Sequence, residues 1–189
     1  DPARVETRAP ERIPTIQDLL RHTSGMTYRE RGSSAAHKLY PGSSVVAAVK
    51  LSSQEFLDAL AKAPLLFDPG TAWEYGFSSD VLGLIIEAIT GQPLREALAA
   101  RLWGPLAMSD TAFAVPPEKS GRYARCLPTD PLTGQAQQTH HATSERMKWD
   151  SGGGGAVSTA SDYLRFTEML IQAGEIDGAR VLGPKTVEL

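Results

Sequence analysis

Cysteine is nearly missing from this sequence: Cys126 is the one copy in 189 residues, which excludes an internal disulfide. In its strand-like Tyr-Ala-Arg-Cys-Leu run it reads as a small hydrophobe rather than a reactive thiol. No apolar run approaches the roughly 18 residues a spanning helix needs, so no membrane span is expected. An excess of either charge is also absent. The 19 basic and 22 acidic residues are interspersed to a net charge of −3, which removes the basic footprint of a nucleic-acid binder and any polybasic membrane patch. Gly152-Gly-Gly-Gly155 lacks the Lys-Ser or Lys-Thr of a phosphate loop and the spacing of a dinucleotide fingerprint, so it reads as a tight backbone crossing. His140-His141 has no acidic or Cys partner at ligand spacing, and neighbours on a strand point to opposite faces. A solvated strand is expected there, not a metal pair. No repeat or low-complexity tract appears, and no cofactor is implied. What remains is a small-molecule partner for one domain, or a large piece of one, whose 41% hydrophobic content suffices for a core.

The stretch that organises the rest is Phe67-Asp-Pro-Gly-Thr-Ala-Trp-Glu-Tyr-Gly-Phe-Ser-Ser-Asp80. Pro69-Gly70 demands a turn, because Pro presets a negative φ and Gly accepts the positive one that follows. Thr71 to Tyr75 reads as a short extended approach. A helix follows, with Ser78 or Ser79 as N-cap, Asp80 as first-turn charge, a broad apolar face from Val81 to Ile89, and Gly91 as its stop. Tyr75 is thereby held on a rigid scaffold with its phenol facing open space.

Around this stretch the punctuation is mostly helical. Thr15-Ile-Gln-Asp18 and Ser52-Ser-Gln-Glu55 are capping boxes, with Gly25 expected to end the first helix and Pro64 the second. The segment from Thr27 to Ser44, rich in Gly, Ser and Pro, is a loop placed to line or cover a site. Gln92-Pro93 restarts a helix that Gly104-Pro105 closes, and Thr159-Ala-Ser-Asp162 caps another that ends at Gly174. Gly121 to Leu127 alternates as a strand, Asp130 to Gly134 turns it, and Ala136 to Ala142 returns. A small turn or hairpin spans Glu175 to Leu182, and Pro184 starts a final helix. The two wide apolar faces of the helices near Ser78 and Thr159 are expected to pack on each other. His22 has two readings, as a general base or as a locally bonded residue at a helix C-terminus, and the latter is the commoner fate.

Trp73-Glu-Tyr75-Gly-Phe-Ser-Ser-Asp-Val-Leu-Gly83, preceded by Pro69-Gly70-Thr71, resembles the Tyr-containing segment of the serine β-lactamase-like family, which takes in class C β-lactamases, DD-peptidases and family VIII esterases. Three further stretches resemble that family in the same order: Ile16-Gln-Asp-Leu-Leu-Arg-His-Thr-Ser-Gly25, Leu106 to Phe113, and Gly152 to Tyr163 running on to Pro184-Lys-Thr-Val187. The resemblance implies an α+β fold, here a mostly helical subdomain with a small β-hairpin, and makes residues 1–189 its central part. It also implies a Ser-x-x-Lys nucleophile motif and a Lys-Thr-Gly-like strand. Neither is present: no lysine has a serine three residues before it, and Lys185-Thr186 is followed by Val187 at a helix start. The chain is therefore expected to be the middle of a longer protein and inactive by itself. The absence of a signal-peptide pattern then says nothing of export, so cytoplasmic and periplasmic locations both stay open, as does oligomeric state.

By the same resemblance, Tyr75 exchanges a proton with a serine nucleophile during acyl transfer. A free phenol, with a pKa near 10, is a poor base at neutral pH, so this role requires a nearby ammonium that favours the phenolate. Left to its surroundings alone, Tyr75 reads as an amphipathic ring packed beside Trp73. Within that family, β-lactamases and DD-peptidases typically carry Asn two residues after the Tyr. Phe77 stands there instead, and together with Trp73 it would give an apolar, ester-binding wall unless it packs in the core. The implied substrate is a carboxylic ester. A β-lactam or peptidoglycan peptide is the alternative, as is a catalytically dead binding module.

Overall fold

The computed structural model describes residues 5–124, 127–137 and 147–188, so Cys126, His140, His141 and much of the expected second strand lie outside the described residues. After an irregular lead-in come α1 (Ile16–Leu20), α2 (Ser44–Lys50), α3 (Ser53–Lys62), α4 (Ser78–Thr90) and α5 (Leu94–Leu98), the last running into a π-helical turn at Ala99–Trp103. Then α6 (Ala160–Ile171), β1 (Glu175–Ile176), β2 (Ala179–Arg180) and α7 (Pro184–Glu188) complete the order. β1 and β2 pair antiparallel, Glu175 with Arg180 and Ile176 with Ala179, around a tight turn whose Asp177 and Gly178 both take positive φ. The helical class and the small hairpin are thus as expected.

Local chemistry sets three of the helix starts. Thr15 and Asp18 form a reciprocal capping box, as do Ser52 and Glu55, and the Thr159 hydroxyl accepts from the Asp162 N–H. Asp18 is also gripped by Arg12, whose guanidinium nitrogens lie 2.6 and 2.8 Å from its two oxygens. Arg12, then the Thr15 N–H and hydroxyl, hold the Asp18 carboxyl far below the usual carboxylate range. A depressed carboxyl contributes stability above its unfolded value, near 3.9, and that contribution is lost as pH falls further. Melting temperature measured from pH 6 to pH 2 should therefore fall more steeply in wild type than in Asp18→Asn. Parallel curves would count against the assignment.

Two cores divide the chain. One gathers Tyr28, Tyr40, Ala47, Ala48, Phe56, Phe77, Leu84 and Trp149, the other Trp103, Leu106, Met108, Met169 and Ile176. α4 packs on α1 and α5, whereas α6 packs on β1. The expected pairing of α4 with α6 is thus corrected, since each apolar face is absorbed by its own cluster. Two helix ends differ as well. No side chain caps α4, whose N-cap is Phe77, because the Ser78 hydroxyl is instead 2.9 Å from that of Ser24 in the interior. α1 ends not at Gly25 but at His22, with φ of 55°. Gly91 does close α4, at φ of 66°.

The strand expected from Gly121 is absent among the described residues, where Pro117–Arg122 is a 3-10 helix. Lys119 and Arg122 both ion-pair with Asp110, so charge pairing rather than alternation decides this segment. The turn beyond it is real: Asp130 accepts from the N–H groups of Leu132 and Thr133, and Thr129 bridges Ala136.

Candidate active site

Tyr75 is 40% exposed and Trp73 60%, so both rings face open space as the turn and helix start dictate. The backbone beneath them is pinned from both sides. Thr71 N–H closes the Pro69-Gly70 turn on the Asp68 carbonyl at 3.1 Å, Gly70 N–H donates to Thr23 O at 2.8 Å, and Glu74 N–H donates to His22 O at 2.9 Å. Glu74 itself accepts from Thr27 Oγ1 at 3.0 Å and from Arg31 Nε at 3.3 Å. Gly76 lies so close to the Thr27 backbone that a Cβ there would overlap it. Immediately after, the buried Phe77 and Ser78 anchor the start of α4. The phenol of Tyr75 is therefore the free end of an immobilised segment.

Three rings surround that phenol. His22 lies 5.1 Å away at 32°, Tyr28 presents its edge at 5.5 Å, and Trp73 stacks at 6.4 Å and 24°. Of the two phenols, only Tyr75 is open, because Tyr28 is buried with its hydroxyl 2.6 Å from Ser44 Oγ. Ser44 donates onward to Asp80 Oδ2 at 2.6 Å, so Tyr28 is the donor in the first bond. Burial pushes the Tyr28 phenol well above its ordinary range, which leaves it unsuited to proton exchange. Tyr75 is the phenol that can meet a ligand.

Asp80 is the buried hub behind this face, at 0% exposed. It accepts from Ser44 Oγ, from Ser151 Oγ at 2.5 Å and from Gly153 N–H at 3.2 Å. Burial raises its carboxyl above the ordinary value, and these three donors oppose the rise. The Gly-rich stretch is thus the close crossing its composition implied. A Cβ on Gly153 would sit 2.6 Å from Ser44 Oγ, leaving no room for any other residue.

Phe77 corrects the expectation of an apolar substrate wall. It is 0% exposed, with Tyr28 edge-on at 4.7 Å, Phe56 at 5.1 Å and Tyr40 stacked at 6.3 Å. It supports the face from within and presents no atom to it. Sequence reasoning missed Tyr28 and the hub role of Asp80. Tyr28 was legible only as the Tyr three residues beyond Gly25, and Asp80 carried the pattern of an ordinary first-turn acid. A cavity of about 790 Å³ lies between residues 5–10, 34–39 and 61–68, and Tyr75 does not line it. Among the described residues no helix is long and apolar enough to cross a membrane.

The chain is similar to known proteins over most of its length. An uncharacterized protein of Mycobacterium tuberculosis is 36% identical over 186 residues, covering 97% of this chain and 45% of its own length. Esterase EstB of Burkholderia gladioli is 32% identical over 176 residues, covering 85% of this chain and 45% of the esterase. Among solved structures, EstCE1, described as a hydrolase with promiscuous acyltransferase activity, superposes with TM-score 0.71 at 26% identity, over 93% of this chain and 49% of that one. Unliganded simvastatin synthase (LovD) from Aspergillus terreus gives 0.71 at 25% identity, over 97% and 42%. The chain thus spans under half the length of each of these relatives. The Beta-lactamase family profile matches residues 3–189, and with the four ordered motifs and the shared fold the chain belongs to that family.

Proposed function

We propose that the full-length protein is a serine hydrolase that cleaves carboxylic esters through an acyl-enzyme, with Tyr75 as its proton-transfer residue. The observation that carries this is the half-exposed Tyr75 phenol on a backbone fixed from both sides, beside the open aromatic face of Trp73. A serine hydroxyl, supplied from outside residues 1–189, adds to the ester carbonyl while its proton passes to the Tyr75 oxygen as phenolate, the phenol's own proton having gone to an amine likewise supplied from outside those residues. The same proton then goes to the departing alkoxide, leaving the acyl group on serine. Water repeats the sequence in reverse and releases the acid. Trp73 offers the acyl or alkoxy group an apolar surface. Esters are favoured over β-lactams because relatives bear the names esterase and acyltransferase. An alcohol in place of water would give acyl transfer from the same intermediate.

The test is intact-mass spectrometry of the full-length protein quenched during turnover of p-nitrophenyl butyrate. One butyryl adduct on a serine is expected, with no adduct on the 189 residues alone. Faster hydrolysis of a chromogenic cephalosporin than of the ester would make the substrate a β-lactam. Ligand binding with neither adduct nor turnover would leave a binding module.

A further inference from the structure

We infer that His22 is a positioning residue for Tyr75, an inference that rests on the proton-transfer reading above and adds a further residue to that site. Its place in the chain is unfavourable on two counts. α1 ends in a Schellman motif, with Thr23 N–H donating to Asp18 O at 2.8 Å and His22 N–H to Leu19 O at 3.2 Å. His22 occupies the left-handed position of that motif, φ 55°, which glycine fills at no steric cost. Its Nδ1 is also buried without a hydrogen-bond partner. Orphaned buried nitrogens and left-handed side chains are both uncommon, and both gather at functional sites.

The ring lies tilted against Tyr75, at 5.1 Å and 32°, and against Trp73, at 6.2 Å and 54°, the two open rings of the site. Tyr28 closes the other approach to Tyr75 edge-on. His22 and Tyr28 therefore hold the phenol between them, and the His22 carbonyl fixes the neighbouring residue through Glu74 N–H. A glycine at position 22 would serve α1 better and leave Tyr75 free to swing. The histidine serves the phenol.

Two variants separate backbone from ring in the full-length protein. His22→Gly relieves the left-handed residue and deletes the ring, whereas His22→Phe keeps a flat ring at the same backbone. Misplacing a reacting group by about an ångström is worth up to about a hundredfold, so His22→Gly should lose at least about tenfold in kcat for the ester. Its KM should stay within about twofold and its Tm at or above wild type, with His22→Phe recovering most of kcat. Undiminished kcat in His22→Gly would overturn the inference. Equal losses in both variants would also overturn it, since the imidazole would then act chemically and not by placing Tyr75. If Tyr75→Phe proves fully active, or no ester is turned over, the functional reading fails by itself. The fluorine resonance of Tyr75 in 3-fluorotyrosine-labelled protein, assigned through Tyr75→Phe, then decides the inference separately. Collapse of that signal to the free-tyrosine position in His22→Gly supports the clamp, and an unmoved signal refutes it.

Discussion

Tyr75→Phe should lower kcat for ester hydrolysis by about 10² to 10⁴ at unchanged melting temperature, the range proton transfer by a positioned side chain typically contributes. The change deletes one oxygen from a 40%-exposed ring, so packing against His22, Tyr28 and Trp73 survives. KM should move little, because the hydroxyl is needed where bonds change and not where the ester is held. A folded Tyr75→Phe protein with wild-type turnover would sink the assignment. Tyr28→Phe is the informative companion, since its hydroxyl donates to Ser44 in the interior. That variant should affect stability before it affects chemistry.

The other large effect is on folding. Phe77→Asn should destabilise the protein by roughly 3–5 kcal/mol, the usual loss on deleting a core aromatic ring, with an unpartnered amide added to the interior. The ring lies at the centre of Tyr28, Tyr40 and Phe56, and its residue is also the N-cap of α4. A shift of about 2–4 °C in Tm per kcal/mol in a domain of this size makes the fall easy to see by calorimetry. Loss of activity in this variant would then report on an unfolded population and say nothing about substrate contacts. Unchanged stability would mean that Phe77 is not packed as described.

These two residues also mark how far the sequence could be read. Features closed within a few residues were legible: both capping boxes, the Pro69-Gly70 turn, the Gly91 stop, the Glu175–Leu182 hairpin and the Tyr75 presentation follow from spacing alone. Features whose partners lie far along the chain were not. Ser78 has the pattern of a cap because nothing nearby announces Ser24, 54 residues away. Phe77 has the pattern of a site residue because burial is decided by Tyr28, Tyr40 and Phe56, none of them within 20 residues of it. α4 and α6 each carry an apolar face, but a face does not name its partner, and the two cores took one each. Alternation misled at Gly121, where Asp110 draws Lys119 and Arg122 into a 3-10 turn. The family was legible where single contacts were not, because four short motifs in fixed order carry more information than any one environment.

Asp80 gives the molecule an order of assembly. Its bonds to Ser44 and Ser151 span 36 and 71 residues, so they can form only after two long loops have closed. Until then Asp80 sits in water at the first turn of α4, where its negative charge favours the helix. Closing the hub strips that water away and turns a helix-starting charge into an acceptor shared by α2, α4 and the glycine crossing. Its hydrogen bonds are accordingly late arrivals on the way in and early losses on the way out. They slow escape from the native state far more than they speed the approach to it, and the face that carries Tyr75 keeps its shape for as long as that one carboxylate stays dry.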